Sequence, residues 1–259
     1  MMFVNHKVSN VALRGKKILI TRAKQQSSTI ASLLTEAGAT PFFLPLIEMK
    51  SRKIDQEMNE VITGIEQFDW IVFTSANGVK AFFSFFKQEL RKPAIAVVGR
   101  KTALCLSQFT TKKPVVPKTF HANALASELG KHIKIGANIL IIKGQLVNQT
   151  LAMELQKTGA NVRELIVYDT LMPEDAVREA RKLQLHLFDY VTLTSASTVT
   201  HLARIRESVP LQYSCIACIG PITANAAVRH GFAPLITANE YSAEGLIHAI
   251  VKEENARWN

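Results

Sequence analysis

The sequence predicts an α/β protein made of two similar doubly wound parallel-sheet domains, on three observations. Short runs that are apolar at nearly every residue alternate with amphipathic stretches, and strands of that kind belong in parallel sheets covered on both faces. The chain also repeats itself: Phe68-Asp69-Trp70-Ile71-Val72-Phe73-Thr74-Ser75-Ala76 returns 120 positions later as Phe188-Asp189-Tyr190-Val191-Thr192-Leu193-Thr194-Ser195-Ala196. Three further blocks recur 121 positions on. Gly15–Ile20 answers Gly136–Ile141, Gly38-Ala39 answers Gly159-Ala160, and Val98-Gly99-Arg100-Lys101-Thr102-Ala103 answers Ile219-Gly220-Pro221-Ile222-Thr223-Ala224. Four blocks in one order at one spacing mean a duplicated architectural unit, and two similar lobes imply a cleft between them. A chain of 259 residues is long enough for two domains with a core each.

Element by element, residues 17–21 read as a strand and 25–37 as a helix stopped by Gly38. Residues 40–48 are extended, but Pro41 and Pro45 exclude a central strand and make this run an edge or a connector. Then come helix 56–66, strand 70–74, helix 79–89, strand 94–98, helix 101–109, a short strand at 115–116 and helix 122–132. The second pass gives strand 138–142, helix 150–158, extended 162–170, helix 174–183, strand 190–194, helix 198–206, strand 215–219, helix 224–230, strand 234–236 and helix 243–253. The Phe82, Phe83 and Phe86 spacing is that of a helix core face.

Composition narrows the class. With 47% hydrophobic and 20% charged residues, and no run of the roughly 20 apolar residues a membrane span needs, a soluble globular protein is expected. Residues 1–14 read as a loosely ordered lead-in without a secretion signal. Three cysteines suit a reducing compartment, hence the cytoplasm. Cys215 and Cys218 lie on one expected strand three residues apart, so their thiols point to opposite faces and read as small buried hydrophobes. The net charge of +10 lies wholly in residues 1–120, which hold 18 Lys and Arg against 8 Asp and Glu. An anionic partner fits that excess, a basic solvated surface being the alternative; no nucleic-acid signature accompanies it.

In doubly wound sheets ligands sit beyond the carboxyl ends of the strands, where the next helix starts. Thr74-Ser75-Ala76-Asn77-Gly78 and Thr194-Ser195-Ala196-Ser197-Thr198 fall there, offering hydroxyls and free backbone N–H groups suited to carboxylate or phosphate. Gly99 and Gly220 let a ligand approach the backbone, with Thr102 and Thr223 close behind. Ordinary helix capping, worth about 1 kcal/mol per residue, is the alternative reading of each hydroxyl. No Gly-x-Gly-x-x-Gly, phosphate-binding P-loop or Gly-x-Ser-x-Gly elbow occurs, which removes support for nicotinamide, nucleoside triphosphate and serine-hydrolase chemistry. The seven histidines stand singly, so no metal site is expected.

Taken together, Ile18-Leu19-Ile20-Thr21-Arg22, Phe68-Asp69-Trp70 with Thr74-Ser75-Ala76-Asn77, Val98-Gly99 with Thr102-Ala103, Val167-Tyr168, Phe188-Asp189 with Thr194-Ser195, and Ile219-Gly220-Pro221 with Thr223-Ala224 resemble the uroporphyrinogen-III synthase family. The resemblance runs from about Gly15 to Val251. It implies two flavodoxin-like domains, residues 1–42 with 171–259 and residues 43–170, joined by extended connectors at 41–48 and 162–170. Repeat pairing alone would instead divide the chain near residue 120.

The resemblance further implies an enzyme of haem biosynthesis that closes hydroxymethylbilane, a linear tetrapyrrole polycarboxylate, into a ring while inverting the last pyrrole. No cofactor is implied; the expected protein is a monomer in transient contact with the preceding pathway enzyme, with no nucleic acid or membrane partner. Holding a reactive chain in one conformation is then the chief task, assisted by one weak acid. Tyr168 matches the family's connector tyrosine and is the candidate acid, a packing role being the alternative. Substrate contacts are carried over to Arg22, Thr74, Ser75, Asn77, Gly99, Thr102, Thr194, Ser195, Ser197, Gly220 and Thr223. One stretch departs from the family pattern: Lys143-Gly144-Gln145 and the following Leu146–Gln149 lack the usual arginines, and Lys143 keeps the charge without the two-pronged geometry. A non-catalytic two-lobed module that binds a small anion is the alternative function.

Overall fold

The structure, a computed structural model, describes residues 12–23, 26–147 and 149–257. Most of the expected lead-in, the start of the helix expected from residue 25, and Asn148 lie outside the described residues. The chain divides into two compact units: the residues up to Glu48 together with those from Leu171 onward, here the split unit, and Met49–Thr170, the inner unit.

The split unit holds β1 (Lys17–Ile20), α1 (Ser28–Glu36), β2 (Thr40–Phe43), α7 (Ala176–Leu183), β8 (Leu187–Leu193), α8 (Ala196–Ser208), β9 (Gln212–Cys218), α9 (Pro221–Arg229), β10 (Leu235–Thr237) and α10 (Ala243–Arg257). Its sheet runs β2-β1-β8-β9-β10, with all four pairings parallel. Pro41 lies in β2 at the sheet edge, where a missing N–H costs no ladder bond.

Inner-unit elements are β3 (Glu48–Ser51), which opens at the crossing, α2 (Gln56–Thr63), β4 (Trp70–Phe73), α3 (Ala76–Phe85), β5 (Ala94–Val97), α4 (Arg100–Leu106), α5 (Ala122–Gly130), β6 (Asn138–Gly144), α6 (Thr150–Gln156) and β7 (Asn161–Leu171). Their sheet order is β3-β7-β6-β4-β5, and Val115 adds a single parallel bridge to Ala96. The run expected as a second connector is therefore an eleven-residue strand paired in parallel with β6. The first crossing comes after Glu48 rather than at residues 42–43, because Leu44 and Leu46 are fully buried in the split unit's core.

Strand side chains alternate faces, as the pleat requires. In the split unit Leu19, Val191, Leu193, Ile216 and Cys218 pack into one core, while Ile18, Ile20, Tyr190, Cys215 and Ala217 pack into another. Cys215 and Cys218 thus point to opposite faces, both buried. Inner-unit residues Ile71, Phe73, Ile95 and Val97 share a core with Phe82, Phe83 and Phe86, and Val72, Ala96, Ile139 and Ile141 form the core of the opposite face.

Each unit combines parts of both repeats. In the split unit β1 and β2 come from the first repeat and β8, β9 and β10 from the second; in the inner unit β4 and β5 come from the first and β6 and β7 from the second. The recurring Phe-Asp pair shows the exchange at atomic level. Asp189 accepts the Lys17 N–H at 2.8 Å, and Asp69 accepts the Asn138 N–H at 2.9 Å, so each carboxylate caps the first strand of the other repeat. Gly15 and Gly136 (φ 77° and 80°) enter those strands through the same left-handed turn, which favours glycine.

Candidate functional site

Strand order reverses direction between β1 and β8 in the split unit and between β6 and β4 in the inner unit. The carboxyl ends of strands at such a reversal open a crevice where ligands bind in doubly wound sheets. Thr74 and Ser75 follow β4, Lys143 and Gly144 end β6, Arg22 follows β1, and Thr194 and Ser195 follow β8. These carried-over residues lie at one reversal in each unit, while Gly99 and Thr102 follow the adjacent strand β5 and Gly220 and Thr223 follow the adjacent strand β9.

In the inner unit the centre is Tyr168, only 8% exposed. Its hydroxyl lies 3.1 Å from Ser75 Oγ, and Ser75 Oγ accepts the Gly78 N–H at 3.1 Å, capping α3. The ring lies on Gly144: a Cβ there would stand 2.4 Å from Tyr168 Cζ and 2.7 Å from its oxygen. Only glycine leaves that seat open. The β6–β7 register shifts between Lys143 and Gly144, which brings Gly144 opposite Tyr168. Thr74 donates its hydroxyl to the Ile142 carbonyl at 3.1 Å, and the Asn77 side-chain amide contacts Met49 Sδ.

Lys143 departs from the expectation of a cation held out to substrate. It is 4% exposed, and its ammonium donates to Glu164 Oε1 at 2.9 Å on the neighbouring strand, so its charge is already answered. The basic residue that stands 121 positions earlier is Arg22. Arg22 is half-buried, its Nε donates to Gln26 Oε1 at 3.1 Å, and burial holds its guanidinium below the ordinary arginine value. Sequence reasoning could not see Glu164 as a partner because the pair joins two strands through register alone.

In the split unit Ser195 caps α8 by accepting the Thr198 N–H at 3.2 Å, and the Thr198 hydroxyl accepts the Ser195 N–H at 3.1 Å in return. Ser197 Oγ joins them, 2.9 Å from Ser195 Oγ. Thr102 and Thr223 occupy equivalent third positions of α4 and α9 and are nearly closed from solvent, at 6% and 4% exposure. Gly99 and Gly220 have extended backbones that any residue can adopt, and what lies against them is an aromatic side chain of the same chain: Phe120 at Gly99 and Tyr241 at Gly220. Neither ring was among the expected site residues, although they too stand 121 positions apart.

Capped helix starts, clustered hydroxyls and one tyrosine at the strand reversals mark a doubly wound α/β protein, a class whose members can hold anionic ligands over strand ends. The family model described as uroporphyrinogen-III synthase HemD matches residues 28–248. The uroporphyrinogen-III synthase of Synechococcus elongatus is 31% identical over 255 residues, spanning 92% of this chain and 95% of the relative. The porphyrin biosynthesis protein HemD of Ruminiclostridium josui is 26% identical over 93% of this chain, and the chain spans about half (49%) of that relative's length. Among solved structures, the uroporphyrinogen-III synthetase of Helicobacter pylori has a TM-score of 0.65 at 15% identity, covering 92% of this chain and 99% of that one, which shows a shared fold. The chain belongs to the uroporphyrinogen-III synthase family. That membership places it in porphyrin biosynthesis with a tetrapyrrole substrate, and the reading as a non-catalytic anion-binding module is not favoured.

Proposed function

We propose that the chain is a hydro-lyase that cyclises hydroxymethylbilane to uroporphyrinogen III with loss of water and inversion of ring D. The observation that carries this reading is the hydrogen-bonded series Gly78 N–H, Ser75 Oγ, Tyr168 hydroxyl at the inner unit's strand reversal. With Ser75 accepting from the α3 terminus and donating to the Tyr168 oxygen, the phenolic proton is left for the departing substrate hydroxyl. Water leaves, and the pyrrole nitrogen's electrons yield an azafulvene. The substituted α-carbon of ring D attacks it to form a spiro intermediate, whose other bond then breaks and reforms at the free α-carbon. The proton released from that carbon restores the phenol, so acid and base balance over the cycle.

Arg22, Asn77, Ser195 and Ser197, with the N–H groups at the starts of α3 and α8, are the groups we assign to the substrate carboxylates. Lys143, tied to Glu164, supports the wall of the site rather than binding substrate directly. We place the protein in the cytoplasm as a monomer; its three free cysteines are all buried, and burial pushes the Cys218 thiol up to about 12, out of the reactive range. The deciding experiment adds the protein to freshly prepared hydroxymethylbilane and separates the type I and type III products. Type III is expected to dominate, and a mixture identical to the enzyme-free control would overturn the assignment.

A further inference from the structure

Phe120 and Tyr241 occupy matched places in the two repeats. Each immediately precedes a helix N-cap: His121 Nδ1 accepts the Ala124 N–H at 3.2 Å above α5, and Ser242 Oγ accepts the Gly245 N–H at 2.9 Å above α10. An apolar residue at that position ordinarily folds onto the fourth helical residue as a staple. Those fourth residues, Leu125 and Leu246, are completely buried, yet the rings remain 52% and 70% exposed. They lie instead over the glycines that begin α4 and α9: a Cβ at Gly99 would stand 3.4 Å from Phe120 Cγ, and one at Gly220 would stand 3.0 Å from Tyr241 Cδ1. In each unit an open aromatic surface is therefore fixed at the carboxyl end of the strand next to the one that carries Ser75 or Ser195. Arg100 stands over Phe120, its Cζ 5.7 Å from the ring centroid, so a cation already faces this ring and would have to turn aside for a flat ligand.

We propose that Phe120 in the inner unit and Tyr241 in the split unit are substrate-contacting residues, each ring by itself a stacking surface for a pyrrole ring, with Arg100 pairing with a carboxylate arm of the pyrrole on Phe120. A pyrrole with acetate and propionate arms matches an exposed aromatic face, and at Phe120 a guanidinium close enough to turn from the ring to a carboxylate arm. Two large exposed rings retained at equivalent positions, with a glycine beneath each, are explained by a flat ligand and not by the core. The inference rests on the synthase reading for its substrate but concerns binding, and binding can be read separately from turnover.

The test uses the full chain with Phe120→Ala, Tyr241→Ala, Tyr241→Phe and, as a control at an exposed apolar position, Leu185→Ala. Equilibrium dialysis against uroporphyrin III measures binding, and steady-state turnover of hydroxymethylbilane gives kcat and KM; far-UV circular dichroism and melting curves confirm that each variant folds. Each alanine variant is expected to weaken uroporphyrin binding and raise KM about tenfold with a smaller change in kcat. Tyr241→Phe should recover most of the loss, and Leu185→Ala should match the unaltered chain. Folded Phe120→Ala or Tyr241→Ala that binds uroporphyrin as the unaltered chain does would overturn the role of that ring. If the unaltered chain forms no type III product but the alanine variants still lose binding, the stacking surfaces stand and the proposed reaction falls. If the unaltered chain binds no uroporphyrin, the stacking surfaces fall, and the separation of type I from type III product alone decides the reaction.

Discussion

Ser75 and Ser195 do the same capping work in the two units yet differ in what else they touch. Ser195 is occupied by Ser197 and Thr198, whereas Ser75 reaches Tyr168, so among the described residues it is the inner unit that sets a phenolic hydroxyl at its strand reversal. Tyr168→Phe keeps the ring on Gly144 and removes only the hydroxyl; kcat for type III formation should drop roughly tenfold to a hundredfold, with KM little changed. Gly144→Ala acts on the same group from beneath. Its methyl would sit inside the van der Waals surface of the tyrosine ring, so the ring must move, and kcat should drop at least as far while the melting temperature changes by only a few degrees. Undiminished kcat in both variants would remove Tyr168 from the chemistry. Tyr168 and Ser75 were legible separately through their motifs. Their contact was not, because they lie 93 residues apart in different repeats and meet only through strand order.

Strand and helix identities followed from periodicity, but several helix starts did not. α3, α8 and α9 begin at Ala76, Ala196 and Pro221, about three residues before the apolar pattern becomes regular, because Ser75, Ser195 and Gly220 are the caps and the buried residues of the first turns, Gly78, Thr198 and Thr223, are small or polar. Sequence patterning reads the apolar face, so it misses turns that bury small or polar residues. The last helix shows the opposite case, a buried charge that no pattern revealed. Glu254 on α10 is 2% exposed, accepts the Tyr190 hydroxyl at 2.6 Å and pairs with Lys16 at 2.7 Å. Burial works against its ionisation, but hydrogen bonds from Lys16 and Tyr190 outweigh it and hold the carboxyl below the ordinary glutamate value. A lowered folded-state value means that this stabilisation is complete above the unfolded-state value and is lost as pH falls below about 4. Glu254→Gln should cost about 1–3 kcal/mol at pH 7 in urea unfolding, and the difference from the unaltered chain should shrink toward pH 3. A pH-independent difference would show that packing, not charge, anchors α10.

At the scale of the molecule, the duplication was plain in the sequence, but which strands share a sheet was not, since periodicity alone places the divide near residue 120. Asp69 and Asp189, each capping a strand of the other repeat, bind the exchanged pieces together. Basic charge follows the units as well: Met49–Thr170 holds 17 Lys and Arg against 10 Asp and Glu, which puts most of the excess on the unit that carries Tyr168. The inner unit has cores on both faces of its own sheet, and its ends lie on neighbouring strands, where the Arg52 N–H donates to the Val167 carbonyl at 3.0 Å. Residues 49–170 expressed alone should therefore melt cooperatively, with dispersed amide resonances. A fragment of residues 1–120 would contain β1 without β8 beside it and β4 without β6, leaving the middle of both sheets open and their apolar faces bare. It should aggregate or stay unfolded by circular dichroism. The reverse outcome, a cooperative 1–120 and an unfolded 49–170, would mean that each repeat folds on itself and that the exchange of strands is wrong.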